Sequence, residues 1–361
     1  MADAVDDKYL KGRGAQINTH NRFEKHEVGA FHIEGIDEEI GLGGKTQYIP
    51  TYPKTFINKV DSLDIIGRAY SMNPYQGCEH GCLYCYARVT HEYWGYSAGL
   101  DFEQKILVKQ NITQALEKQF SKKGWEPLPI MLSGNTDCYQ PIEKKLKLTR
   151  GILETVLKYK HPVSMITKNS LITRDIDLLQ ELAKHNLVHV MITITSTDEK
   201  VRLQLEPRTT TYKQRFKALE TLSKAGIPVG VMVAPIIPGI TSHDIPNVIK
   251  IAAEHGAKRA GYTIVRLNGA IGNVFKDWLE KNYPDRAQKV WNQISDCHGG
   301  QVNDSRPGKR MSGEGNIAES IKRLFQISVK KFMGEPERLH LNTKAFINKH
   351  NAQTSLFDDL V

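Results

Sequence analysis

Apolar residues fall into two alternating rhythms between residues 67 and 267. Short runs rich in β-branched and aliphatic residues recur as GRAYSMNP at 67–74, LPIMLSG at 128–134, PVSMITK at 162–168, VHVMITITS at 188–196, IPVGVMVAPI at 227–236 and KRAGYTIVRL at 258–267. Near-continuous apolar runs of this length are those of strands buried on both faces, as in a parallel sheet. Between them lie stretches with a helical apolar period. Ile152, Leu153, Val156 and Leu157 share a face behind Thr149, a candidate cap, and Pro162 follows. Thr173 is the candidate start of a second helix carrying Ile176, Leu179, Leu182 and Ala183. A third runs from about Tyr212 through Phe216, Leu219 and Leu222 and stops at Gly226. Ser242 or Asp244 opens a fourth, with Val248, Ile249 and Ala252, that ends at Gly256.

Six strands joined by crossover helices predict an α/β fold on a parallel sheet. The units are too few for an eight-strand barrel, so an open partial TIM barrel of the (β/α)6 type is expected over 67–267. A doubly wound sheet is the alternative, but no G-x-G-x-x-G follows the first strand. Residues 1–66 have weak periodicity and are expected to form an N-terminal extension that wraps or caps the core. After residue 268 the rhythm is helical, at 274–295 and 316–333. Ile317, Ile321, Leu324, Phe325 and Phe332 give the second of these an apolar stripe to pack on the barrel. Residues 268–333 are therefore expected as a helical C-terminal extension, followed by a polar tail at 334–361.

Composition narrows the function classes. The 361 residues are 40% hydrophobic and 25% charged, as in ordinary soluble domains. No run of about eighteen apolar residues occurs, so no membrane span is expected. The polar start MADAVDDKYLKGRGAQ has no signal-peptide character, which favours the cytoplasm. Five cysteines, an odd number and mostly clustered, do not make a disulfide framework. The net charge of +9 favours polyanionic partners, nucleic acid above all.

The densest chemistry is NPYQGCEHGCLYCYA at 73–87, with Cys78, Cys82 and Cys85 in the pattern C-x3-C-x2-C. A structural zinc site takes four ligands, usually as two separated pairs. Zinc would need Cys138 as its fourth ligand here. A [4Fe–4S] cluster on three thiolates instead leaves one iron with an open position. The loop follows the first strand, at the barrel face where catalytic loops gather.

This pattern, with an aromatic Tyr84 before the last cysteine, resembles the radical S-adenosylmethionine (SAM) superfamily. The resemblance implies an open (β/α)6 barrel and a cluster whose open iron chelates SAM. It also implies reductive cleavage of SAM to a 5′-deoxyadenosyl radical that abstracts hydrogen from a substrate. Over about residues 70–240 the chain further resembles spore photoproduct lyase and its relatives. CLYCY, HVMITITSTDEKVRLQLEPRT, KAGIPVGVMVAPI and the Thr167–Lys168 pair carry that likeness. KGRGAQINTHNRF and DSRPGKRM are similar to a widespread bacterial branch of uncharacterised relatives.

By that resemblance Ser133, Gly134, Asn135 and Thr136 stand where loop backbone grips the SAM amino group. Asn135 stands in place of the usual Glu, and Asp137 is a candidate substitute. Lys168 matches a lysine paired with the SAM carboxylate, and Ser196 a serine on the same ligand. Glu206 and Arg208 follow on the same face and are expected to bridge each other, with contact to the ribose as the alternative. Tyr84 and Tyr86 flank Cys85; Tyr84 is expected to pack on SAM or the cluster and Tyr86 to relay hydrogen atoms. The lyase's hydrogen-donating cysteine has no match, Gly134 being nearest, and Cys138 is the candidate in its place. Cys297 receives no role. QTSLF at 353–357 is similar to the motif that docks bacterial repair proteins on the sliding clamp, through Gln353, Leu356 and Phe357. The implied partners are DNA, the clamp, and a reductant such as flavodoxin or ferredoxin. An RNA or protein substrate, or a non-catalytic cluster protein, are the alternatives.

Overall fold

The computed structural model describes residues 10–23, 45–62, 64, 67–335 and 340–348. Its centre is a curled, partly closed sheet. Six strands run parallel in the order in which they occur: β3 (Gly67–Met72), β6 (Ile130–Leu132), β7 (Val163–Thr167), β8 (Val188–Thr193), β9 (Val229–Ile236) and β10 (Ala260–Ile264). Each lies within one of the six apolar runs. The architecture is the open partial barrel expected from the sequence.

The N-terminal region supplies what weak periodicity hid. β1 (Gln47–Thr51) pairs in parallel with β5 (Lys105–Lys109), and the two-residue β4 (Tyr75–Gln76) pairs antiparallel on the other side of β5. β2 (Ile57–Ser62) adds to β3 as an antiparallel seventh strand of the main sheet.

Helices cover the convex face: α1 (Ile112–Phe120), α2 (Leu148–Lys158), α3 (Ile176–Lys184), α5 (Tyr212–Lys224) and α6 (Ile245–Glu254), while the short α4 (Glu199–Leu205) packs against the 82–85 loop. Leu179, Leu182, Leu219, Leu222, Val248 and Ile249 are fully buried against strand residues such as Val190, Ile192 and Val231. Each such aliphatic contributes about 1.5–3 kcal/mol through its removal from water.

Two expected caps are corrected. Thr149 lies inside α2, where its hydroxyl donates to the Cys138 carbonyl at 2.6 Å; Lys147, with φ +53°, is the residue at the cap. The stretch before α3 is a 3-10 turn over Ser170–Asp175, capped by Asn169 accepting from the Leu171 N–H, so Thr173 sits within it. Thr211 caps α5 by accepting from Gln214 N–H, and Gly226 follows its end with φ +75°.

The helix expected at 274–295 is two, α7 (Ile271–Asn282) and α8 (Ala287–Asp296), because Pro284 interrupts the ladder. α9 (Gly315–Met333) buries Ala318, Ile321 and Phe325 and packs along α6. Part of the expected polar tail is also placed. Phe346 meets the Phe120 ring at 5.7 Å, and Ile347 N–H donates to the Tyr159 carbonyl. Among the described residues no helix is long and apolar enough to cross a membrane. The motif at Gln353, Leu356 and Phe357 lies outside the described residues.

Candidate active site

The parallel strands end together, so the residues just after them converge: 73–87 after β3, 133–137 after β6, Lys168 after β7, 194–196 after β8 and 265–267 after β10. The cysteine loop is pinned from below. Cys78 N–H donates to the Phe102 carbonyl at 2.8 Å. Gly81 adopts φ +69°, and a Cβ there would meet Glu103 Oε2 at 2.7 Å, so this position demands glycine.

Arg88 is fully buried beneath the loop. Its Nε donates to the Cys82 carbonyl at 3.0 Å, one terminal nitrogen donates to the Gly99 carbonyl at 2.9 Å, and the other pairs with Glu103 at 2.5 Å. Glu103 also accepts from the Gly14 and Ala15 N–H groups, at 3.0 and 2.8 Å. Residues 10–23 thereby strap the loop in place. The approach is so close that a Cβ on Gly14 would lie 1.8 Å from the Gly81 carbonyl oxygen.

Cys78 and Cys82 are buried and Cys85 is half-buried, among Ala15, Leu83, Ala87, Val89 and Phe102. Burial drives the thiol pKa values of Cys78 and Cys82 upward; Asp137 adds to this at Cys78, and Lys168 opposes it at Cys82. Three thiols gathered on one sheltered loop are a soft donor set that fits an iron–sulfur cluster. Among the described residues no three Cys, His, Asp or Glu side chains converge on a single-ion position.

Lys168 reaches into the same region. Its ammonium lies 5.8 Å from the Tyr84 ring centroid and makes no hydrogen bond or ion pair among the described residues. Burial opposes its charge, but Cys82 and Glu206 outweigh burial and raise its pKa. Tyr84 is buried and its hydroxyl donates to Glu206, which pairs with the fully buried Arg215 at 2.5 Å. Thr195 joins by donating to Glu206 at 3.2 Å. Arg208 points elsewhere, to Glu79 at 3.4 Å, so the expected Glu206–Arg208 bridge is corrected.

The loop after β6 lies against the cysteine loop. Asn73 Oδ1 accepts from the Asn135 and Thr136 N–H groups at 2.9 and 3.3 Å, and the Asn135 side chain donates to Gln76 at 2.7 Å. Ser133 takes a left-handed φ of +73° and accepts from Cys138 N–H at 2.9 Å. Gly134 offers its carbonyl to the Tyr86 hydroxyl. Tyr86 is otherwise 45% exposed, at the mouth of the barrel.

Three further expectations are corrected. Asp137 has both oxygens engaged, by Thr167 Oγ1 at 2.7 Å, Tyr139 N–H at 2.9 Å, Lys168 N–H at 2.8 Å and His80 at 3.3 Å, so it is not a free substitute acid. Burial alone would raise its pKa, but His80 and these hydrogen bonds hold the carboxyl down to about 2. Ser196 donates to Asp244 at 2.7 Å and accepts from Asp198 N–H at 3.1 Å, which spends its hydroxyl on a turn. Cys138 is fully buried in the main apolar core with Tyr139 and Ile152, and its carbonyl accepts from Thr149 of α2, so it is not an open hydrogen donor. Arg88, Glu103, His80 and Arg215 were not singled out from the sequence; no spacing marks them, and Arg88 stands three residues after Cys85 in no recognised motif.

A profile of the radical SAM superfamily matches residues 72–252, half of the chain. The chain belongs to that superfamily, whose members use a [4Fe–4S] cluster and SAM. An uncharacterised protein of Mycobacterium tuberculosis is 31% identical over 234 residues, covering 64% of this chain and 69% of the relative. An uncharacterised protein of Methanocaldococcus jannaschii is 31% identical over 236 residues, covering 65% of this chain and 85% of the relative. In fold the chain is similar to spore photoproduct lyase complexed with dinucleoside spore photoproduct. The TM-score is 0.61 at 17% identity, over 84% of this chain and 86% of that one.

Proposed function

We propose that this chain cleaves SAM reductively and directs the resulting radical at nucleic acid, in a lyase-like reaction that reverses a DNA lesion. Cys78, Cys82 and Cys85 would hold the cluster, which supplies the electron for SAM cleavage. The observation that carries the cofactor half is Lys168, whose ammonium is unpaired among the described residues and stands beside Cys82 in the barrel. SAM's carboxylate is the natural partner for it. Backbone of Ser133–Thr136, which meets the cysteine loop through Tyr86, would take the amino group, and Tyr84 lies beside Lys168. Tyr86, at the mouth, is the assigned hydrogen relay.

The nucleic-acid half is supported by the net charge of +9 and by the fold shared with spore photoproduct lyase. A flavodoxin- or ferredoxin-type reductant and the sliding clamp, through Gln353, Leu356 and Phe357, complete the proposed partners. The bacterial cytoplasm fits them.

Two measurements test this reading. In anaerobically reconstituted protein, Lys168→Ala is expected to weaken SAM binding by about tenfold to a hundredfold, the worth of one charge-assisted hydrogen bond. Calorimetric titration of SAM reads it, and an unchanged affinity removes Lys168 from the site. The reaction itself is read as 5′-deoxyadenosine formed with dithionite, in the presence of UV-irradiated or intact DNA. A rate raised by irradiated DNA alone is expected. Equal rates with and without DNA would refute the lesion substrate, and absence of the nucleoside would refute the radical chemistry.

A further inference from the structure

Arg266 stands at the mouth of the barrel, two residues after β10. The backbone on either side is fixed: Val265 N–H donates to the Ile236 carbonyl at 2.9 Å, and Leu267 N–H to the Val302 carbonyl at 2.8 Å. Val265 and Leu267 are buried, so the alternation of the extended chain turns Arg266 the other way. Its guanidinium lies 5.6 Å from the Tyr86 ring centroid. Tyr86 in turn follows Cys85 directly and reaches across to Gly134. Arg266 is therefore one aromatic ring away from the cysteine loop.

The guanidinium is half-buried and makes no hydrogen bond or ion pair among the described residues. A second guanidinium, Arg310, is close, and it pairs with Asp64 at 2.6 Å. The Gly308 N–H also donates to Asp64, which is thus engaged by the 308–310 segment. Arg266 is left with positive charge, partial desolvation and a like-charged neighbour. Burial and then Arg310 depress its pKa, and Tyr86 and Asp64 oppose this more weakly. A buried charge in this state is costly unless a ligand completes it. Its planar fork of donors suits the paired oxygens of a phosphate.

We propose that Arg266 anchors the substrate by binding a phosphodiester group of the nucleic acid at the barrel mouth, beside Tyr86. The inference rests on the nucleic-acid reading above and assigns to it a specific contact. Tyr86 provides an aromatic face next to the anchor, so a phosphate held there sets the adjoining nucleotide over the site.

The test is fluorescence anisotropy of the full chain with a labelled single-stranded oligonucleotide of roughly twelve nucleotides, a length within the site sizes of single-strand binders. Affinity is measured across a range of salt concentrations for the wild type, Arg266→Gln and Arg266→Lys. Arg266→Gln is expected to weaken binding about tenfold and to flatten the log–log salt dependence by about 0.7, the release of one counterion. Arg266→Lys, which keeps the charge, is expected to keep the wild-type slope. Wild-type slope and affinity in Arg266→Gln would overturn the anchor while leaving the nucleic-acid reading standing. Equal weakening in both variants with no change in slope would assign Arg266 a structural role and overturn the anchor. A wild type that binds no oligonucleotide would overturn both readings.

Discussion

Lowering the pH from 6.5 to 4 is expected to remove about 5 kcal/mol of folding stability through His161 and His189 alone. Burial lowers both imidazole pKa values to about 4, against 6.5 in the unfolded chain. The sign follows from proton uptake. Between pH 6.5 and 4 the unfolded chain binds protons that the folded chain refuses, so stability falls as pH falls and levels off for these groups below about 4.

His161 shows why it stays neutral. Its Nδ1 faces the Pro162 carbonyl at 3.0 Å, its Nε2 accepts from Trp125 at 3.1 Å, and its ring stacks on Phe120 at 4.4 Å. Protonation at Nε2 would set a donor against a donor. His189, on β8, leaves Nε2 buried without a partner and sits near Arg259, which opposes its charge further. His91, beneath the cysteine loop, acts in the same direction. Asp137 adds a later loss, between its ordinary pKa near 3.8 and about 2, because its pKa is depressed in the fold. Urea midpoints at pH 7 and pH 4.5 measure the effect. His189→Val, between Val188 and Val190, is expected to remove about half of the His161–His189 share. A midpoint that does not move between the two pH values would show that these histidines are accessible to protons in the folded chain.

The barrel was legible because its strands are buried on both faces. Val188, Val190 and Ile192, or Val229, Val231 and Val233, can only be read as apolar runs, and each run became a strand of β3 or β6–β10. The cysteine loop was legible because its chemistry is concentrated in eight consecutive positions. What was not legible depends on long-range partners. β1 and β2 are short and half-exposed, and their pairing with β5 and β3 is settled by contacts, not by their own pattern. Thr149 and Ser196 look like a cap and a ligand in sequence, yet each hydroxyl is claimed by a distant residue, the Cys138 carbonyl or Asp244. Cys138 reads as a hydrogen donor from its place in a loop, and the burial of one side chain in a loop has no periodicity to reveal it. Arg88 and Glu103 lie in stretches of mixed polarity, where a buried pair and a surface pair have the same sequence signature.

Arg88→Met is expected to destabilise the protein by about 3–5 kcal/mol, because it strands the buried Glu103 carboxylate without its cation. The pair is fully buried at both ends and 2.5 Å apart. Three carbonyls, of Cys82, Ala98 and Gly99, lose their donor in the same change. The consequence reaches the site, since Cys82 is one of those three and the strap at Gly14 and Ala15 hangs from Glu103. Iron bound per chain after reconstitution is therefore expected to fall with the urea midpoint. The double variant Arg88→Met/Glu103→Leu separates charge from architecture. It removes the uncompensated carboxylate, so it is expected to recover part of the stability. It cannot restore acceptors for the Gly14 and Ala15 N–H groups, so iron retention is expected to stay low. Full recovery of both in the double variant would show that the pair contributes charge balance alone and that the strap is held by its packing against Gly81.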